Sequence, residues 1–185
     1  HLLETSTLNV FTPQIEVAKT PLMGDIKVNA NRPESFVVSR DGKKLAFTYR
    51  GMIFVSDMEG NFVTPIPTPQ NEKVEDIVWA SDNISLYYTR TNRGFTNIYS
   101  QRADAPGNER EIYTPQESVK SFWGSNKGDK IVFILGGHSL MLLKTQDNSV
   151  EKLVDHEFWA FRRYRILFSP NDRYITYNAV NMFEN

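Results

Sequence analysis

The chain has 185 residues, 40% of them hydrophobic and 23% charged, with a formal net charge of -1; that balance fits a globular protein with enough apolar residues for a sizeable core. Near-neutral charge leaves no footprint for nucleic acid and no charged tail, and the lack of cysteine removes disulfides and thiolate metal sites. No apolar run approaches the ~18 residues of a membrane helix, so neither nucleic acid nor membrane insertion is expected.

In chain order, the opening HLLETSTLNVF lacks a charged stretch followed by an apolar core and does not read as a signal peptide. Within residues 1–34, short strands are expected over Leu8–Thr12, Gln14–Ala18 and Asp25–Ala30, punctuated by Pro13, Pro21 and Pro33. From residue 35 the pattern becomes regular. Ser35–Val38 is an expected strand, Ser39–Lys44 a polar turn, Leu45–Tyr49 and Met52–Ser56 are strands joined at Gly51, and Phe62–Ile66 is an outer strand that tolerates Pro65 at an edge.

The stretch SRDGKKLAF returns in weaker copies. ASDNISLYYT, GSNKGDKIVFI and FSPNDRYITYN each set a polar turn before an apolar strand, and their last aromatics align. These are Phe47, Tyr88, Phe133 and Tyr177, spaced 41, 45 and 44 residues apart. A period of this length that contains only strand-like segments is the signature of propeller blades. Further strands are expected near Asp76–Trp79, Leu86–Thr89, Thr96–Gln101 and Arg110–Tyr113, then Val119–Trp123, Lys130–Leu135, Ser139–Lys144 and Val150–Val154, and finally Arg165–Phe168 and Tyr174–Asn178. The expected fold class is all-β: β-propeller blades of four antiparallel strands, three full repeats at about 35–70, 71–115 and 116–156 and an incomplete one at 157–185. No helix of ten or more residues is expected.

Candidate chemistry is sparse. Ser139 stands beside His138 in Gly136-Gly137-His138-Ser139, but neighbours on a strand point to opposite faces, so a hairpin turn is expected there rather than a nucleophile and its base. Asp155-His156-Glu157 lacks a second histidine at ligand spacing and reads as an interblade loop. Asp41, Asp82, Asp129 and Asp172 recur in the turns, where hydrogen bonding to local backbone N–H is their expected task. Trp79 and Trp123 end equivalent strands and are both expected in interblade core. The one patch that invites a ligand is Phe158–Arg165, where Arg162, Arg163 and Arg165 stand among aromatics including Trp159. Arginine pairing and stacking there would suit a peptide or its carboxylate end; single-stranded nucleic acid is a weaker reading. The plainer alternative packs Phe158 and Trp159 between blades beneath the arginine stems. Arg93, in a basic hairpin tip, is a second peptide-binding candidate. No catalytic residue, metal or cofactor is expected in the chain.

The blade grammar SRDGKKLAF…GMIFVSDMEGNFVTPIPT, with VWASDNISLYYTRTNRGFTNIYS and DHEFWAFRRYRILFSPNDRYITYNAV, resembles the N-terminal propeller of Tricorn-type serine peptidases and, more loosely, TolB-like propellers. The resemblance covers most of residues 32–185. It implies a non-catalytic segment that gates or holds peptide or unfolded polypeptide for a peptidase (a hydrolase) elsewhere in the parent protein, in a periplasmic or else cytoplasmic setting. A TolB-like reading implies instead a protein-interaction platform without protease activity. The incomplete fourth unit leads to the expectation of a piece of a longer protein. It also suggests that the segment 1–34 supplies strands completing a blade, or that open strand edges self-associate.

Overall fold

The computed structural model describes residues 2–3, 7, 10–11, 32–69, 71–158 and 166–178. Two short strands, β1 (Leu2–Leu3) and β2 (Val10–Phe11), pair antiparallel. The expected strand Leu8–Thr12 thus contains β2; those over Gln14–Ala18 and Asp25–Ala30 lie outside the described residues.

The first sheet is built from β3 (Ser35–Val38), β4 (Lys44–Tyr49), β5 (Met52–Asp57) and β6 (Val63–Ile66), in the order 3-4-5-6. The second holds β7 (Val74–Trp79), β8 (Ser85–Asn92), β9 (Phe95–Arg102) and β10 (Arg110–Tyr113). The third holds β11 (Val119–Gly124), β12 (Lys130–Leu135), β13 (Ser139–Lys144) and β14 (Val150–Asp155). A last pair, β15 (Leu167–Phe168) and β16 (Ile175–Thr176), follows. Every pairing is antiparallel between sequence neighbours, and the described residues contain no helix. This is an all-β chain of propeller-like blades.

The sheets stack face to face through three successive cores. Ala46, Ile53 and Val55 of the first sheet meet Ile77, Trp79, Leu86 and Tyr88 of the second. The other face of the second, with Val78, Tyr87 and Ile98, meets Phe122, Ile131 and Phe133 of the third. Val132, Ile134 and Leu140 of the third then meet Ile166, Phe168 and Ile175. The central strands β8, β9, β12 and β13 bury both of their faces, which explains continuous apolar runs such as Ile131–Leu135 in place of alternation.

The recurring turns fix the register. The backbone N–H groups of Ser39, Ala80, Ser125 and Ser169 donate to the carbonyls of Lys44, Ser85, Lys130 and Tyr174 at 2.8–2.9 Å. Three residues into each turn stand Gly42, Asn83, Gly128 and Asp172, with φ of 70°, 55°, 75° and 56°. Glycine, asparagine and aspartate are the residues that best tolerate this left-handed conformation. The register also corrects one expectation. Trp79 immediately precedes its turn, whereas Trp123 lies one residue further back, with Gly124 in the matching place; both strands carry the same one-residue bulge, between Val74 and Ile77 and between Lys120 and Trp123. The two rings therefore leave opposite faces of their sheets. Trp79 is 1% exposed, its indole N–H donating to the Val37 carbonyl at 3.2 Å, while Trp123 is 40% exposed.

Candidate functional site

The turns that end the first strands of the sheets lie close together and are clasped. Asn83 Oδ1 accepts the backbone N–H groups of Arg40 (2.8 Å) and Asp41 (3.3 Å) from the preceding turn, and Lys44 Nζ donates to the Asn83 carbonyl at 3.2 Å. The same clasp recurs two sheets on. Asp172 accepts the N–H groups of Asn126 (2.9 Å) and Lys127 (2.8 Å), and Lys130 Nζ donates to the Asp172 carbonyl at 3.4 Å. This corrects the expectation for Asp172, whose carboxylate serves the neighbouring turn. Asp41 and Asp82 do bond their own turns, through Lys43 N–H and through Ile84 and Ser85 N–H. The Asp129 carboxylate instead accepts from the Ser125 hydroxyl.

Between the second and third turns the clasp is missing, because Gly128 stands where the accepting side chain would be. Arg40 fills the place. A Cβ on Gly128 would lie 2.3 Å from the guanidinium carbon. Its Nη1 donates to the carbonyls of Trp79 and Ala80, Nη2 to Ser125 O at 2.8 Å and Nε to Asn126 O at 2.9 Å. Burial lowers the Arg40 pKa, an effect opposed by the Asp172 and Asp129 carboxylates.

Behind Arg40 lies a cavity of about 370 Å³, lined by β3, β7 and β11. Each of these is an edge strand of its sheet, so alternate backbone N–H and C=O groups point away from their own ladder. Phe36, 64% exposed, and Trp123 give the wall aromatic faces. Arg40 and Asp76 are its two charged lining residues. They stand apart: Asp76 precedes Trp79 by three residues, roughly 10 Å along an extended strand. Asp76 forms no ion pair among the described residues. Burial pushes its carboxyl up to about 6, with Glu75 adding to the rise; the Phe122 backbone N–H and Lys73 oppose it.

A carboxyl with this pKa binds its proton more tightly in the folded chain than in the unfolded one, so it costs stability as pH rises from about 4 through 6. Asp76→Asn should therefore raise stability by roughly 2 kcal/mol near neutral pH and leave it unchanged below about pH 4. Urea midpoints at the two pH values test this. An unchanged midpoint at neutral pH would mean that the carboxylate is well solvated.

Of the residues expected to bind peptide, Trp159, Arg162, Arg163 and Arg165 lie outside the described residues. Arg93 is exposed at the tip of the β8–β9 hairpin, with φ of 50°, and does not line the cavity. Phe158 is buried between the third sheet and the last pair, as the plainer reading had it. Nothing in the sequence pattern marks Asp76 except its register: the corresponding residues of the first and third sheets are Ser35 and Ser121.

Ser139 and His138 do meet, contrary to expectation. Both lie at the hairpin after Gly136 and Gly137, whose φ values are 61° and 83°, and there the alternation of a regular strand does not hold. His138 Nδ1 lies 3.0 Å from Ser139 Oγ, and Nε2 lies 2.7 Å from Glu117 Oε2. Ser139 is 3% exposed, and its hydroxyl donates to Asp155 Oδ1 at 2.7 Å. Lys152 and then Ser139 hold the Asp155 pKa below the usual range. A buried hydroxyl that already donates to a carboxylate offers a substrate no access, and a nucleophile's proton must pass to its base. The cluster therefore ties β13 to β14. No group of three or more His, Asp or Glu among the described residues could hold a metal ion.

No protein-family model matches the chain, and no curated protein matches it. Among solved structures, it is similar to a TolB-type protein from Agrobacterium tumefaciens, with a TM-score of 0.55 and 21% identity over 65% of this chain and 48% of that one. It is also similar to the tricorn protease, with a TM-score of 0.60 and 17% identity over 83% of this chain and 15% of that one. The chain thus spans less than half of either. At such identities the likeness establishes the fold: propeller blades of the TolB and Tricorn type.

Proposed function

We propose that this chain is a non-catalytic propeller segment of a Tricorn-like serine peptidase, where it holds or gates polypeptide. The observation that carries the reading is the cavity between β3, β7 and β11, where three strand edges, Phe36, Trp123 and Asp76 converge. Backbone edges suit an extended peptide, and exposed aromatic faces suit its side chains. Arg162, Arg163, Arg165, Trp159 and Arg93 are proposed as outlying peptide contacts. The repeat units 35–70, 71–115, 116–156 and 157–185 act as blades, and residues 1–34 complete one of them. A periplasmic setting follows from the same family resemblance. The remainder of the peptidase is the second partner, with self-association through open strand edges as a further route.

The test uses unstructured peptides carrying a photo-crosslinker, incubated with the 185-residue chain, with crosslinks mapped by mass spectrometry. Crosslinks at Phe36, Trp123 and Asn126 are expected. Capture of folded proteins alone would favour the alternative, a TolB-like interaction propeller. Reading the gene past the codon for Asn185 separates the two parents: a PDZ-like module and a serine-bearing protease region belong to the first only.

A further inference from the structure

We infer that the cavity between β3, β7 and β11 receives a primary ammonium group of a polypeptide, a lysine side chain or a free amino terminus, with Asp76 as its counter-ion and Phe36 and Trp123 beside it. This rests on the peptide-holding reading above and names which part of the peptide is recognised.

Three features of the cavity point to a cation. Its acidic group forms no ion pair among the described residues and is met by the neutral Phe122 backbone N–H, although it lies largely out of solvent. The lining arginine cannot neutralise it, because the Arg40 guanidinium is committed to four carbonyls at the turn end of the strands. The aromatic faces add attraction for a positive charge and for the methylenes that carry it. An anionic ligand would meet the opposite surroundings: Arg40 already bound and a carboxylate in the wall. The remaining lining is apolar or neutral, with Ser35, Val37 and Val38 from β3 and Ile77 and Val78 from β7. At about 370 Å³ the cavity sits toward the small end of the range for ligand pockets, which fits one side chain or chain end rather than a folded partner.

An ammonium beside Asp76 favours the ionised carboxylate, so binding expels the proton that burial retains. The charged groups acting on Asp76 are Glu75 of its own strand and Lys73 just before that strand. β3 and β11 bring only neutral lining residues against it, and Lys73 is drawn to Glu34 at 3.4 Å. Affinity for a lysine ammonium should therefore be constant from about pH 7 to 9, whereas affinity for an amino terminus also falls above about pH 8 as the amine loses its proton; both should fall by about tenfold for each unit below pH 6.

Titration calorimetry on the 185-residue chain with three short peptides decides the matter. One is blocked at both ends and carries a central lysine; one is the same with norleucine; the third has norleucine and a free amino terminus. At neutral pH, one or both amine-bearing peptides should bind at least about tenfold tighter than the blocked norleucine peptide, and which of them does so identifies the source of the ammonium. That preference should weaken about tenfold at pH 5 and vanish in Asp76→Asn, whose stability is expected to rise. Equal binding of all three peptides would overturn the ammonium site while leaving peptide holding intact. Binding of none would overturn both.

Discussion

Glu109→Ala is expected to cost about 3 kcal/mol of stability. The carboxylate is the anchor of a polar network on the face that the second sheet turns toward the first. Arg90, whose side chain is 6% exposed, donates to it twice, from Nε at 3.1 Å and Nη2 at 2.8 Å. The Tyr88 hydroxyl donates to the same carboxylate at 2.6 Å, and the Arg90 guanidinium lies 3.8 Å from the centre of the Tyr99 ring. Gln101 extends the network to the neighbouring sheet through Nε2, which donates to Tyr88 Oη at 2.9 Å and to Pro67 O at 3.0 Å. Burial and the adjacent Glu109 carboxylate raise the Tyr88 pKa, so the phenol stays protonated and serves as donor. Alanine would leave a buried guanidinium without its counter-charge, which costs more than the pair itself contributes. Glu109→Gln keeps an acceptor and should lose roughly half as much. Chemical denaturation of both variants measures the two losses. A Glu109→Ala loss below about 1 kcal/mol would place this pair with ordinary surface ion pairs.

The two tryptophans should separate sharply. Trp79→Ala is expected to destabilise the chain by about 3–5 kcal/mol, because it removes a buried indole from the core between the first and second sheets and leaves the Val37 carbonyl without its donor. Trp123→Ala should cost less than about 1 kcal/mol, since its ring is largely in the cavity and in water. Denaturant midpoints of the two variants, measured side by side, give the comparison. Equal losses would mean that Trp123 is covered after all.

The same pair shows how far the sequence could be read. The period of the aromatic anchors from Phe47 to Tyr177 located the strands, because turn chemistry and apolar runs are local properties. It did not fix the faces: Trp79 immediately precedes its turn, whereas Gly124 holds that place in β11, and β7 and β11 carry the same one-residue bulge. Aligning the blades on their last aromatic hides this one-residue offset, yet it moves a side chain from one face to the other. Asp172 was equally opaque: in sequence it is another turn aspartate, and its task depends on which turn lies beside it. The cavity was hidden for a related reason. Asp76 and Phe36 belong to different strands and stand 40 residues apart in sequence, and only the stacking of the sheets brings them to one wall. The meeting of His138 with Ser139 escaped a rule that holds within regular strands but not at a two-glycine hairpin.

Arg40 alters how the array should come apart. In a repeat array each unit contacts only its neighbours, and loosening can start at any interface. Here a side chain from the first sheet holds the second and third turns together across Gly128, so that interface cannot open without releasing a unit that is not part of it. The nearest-neighbour picture fails over this stretch. The first three sheets should exchange their amide protons as a single cooperative block, and the short pair after them, held by its own clasp, should open by a separate route.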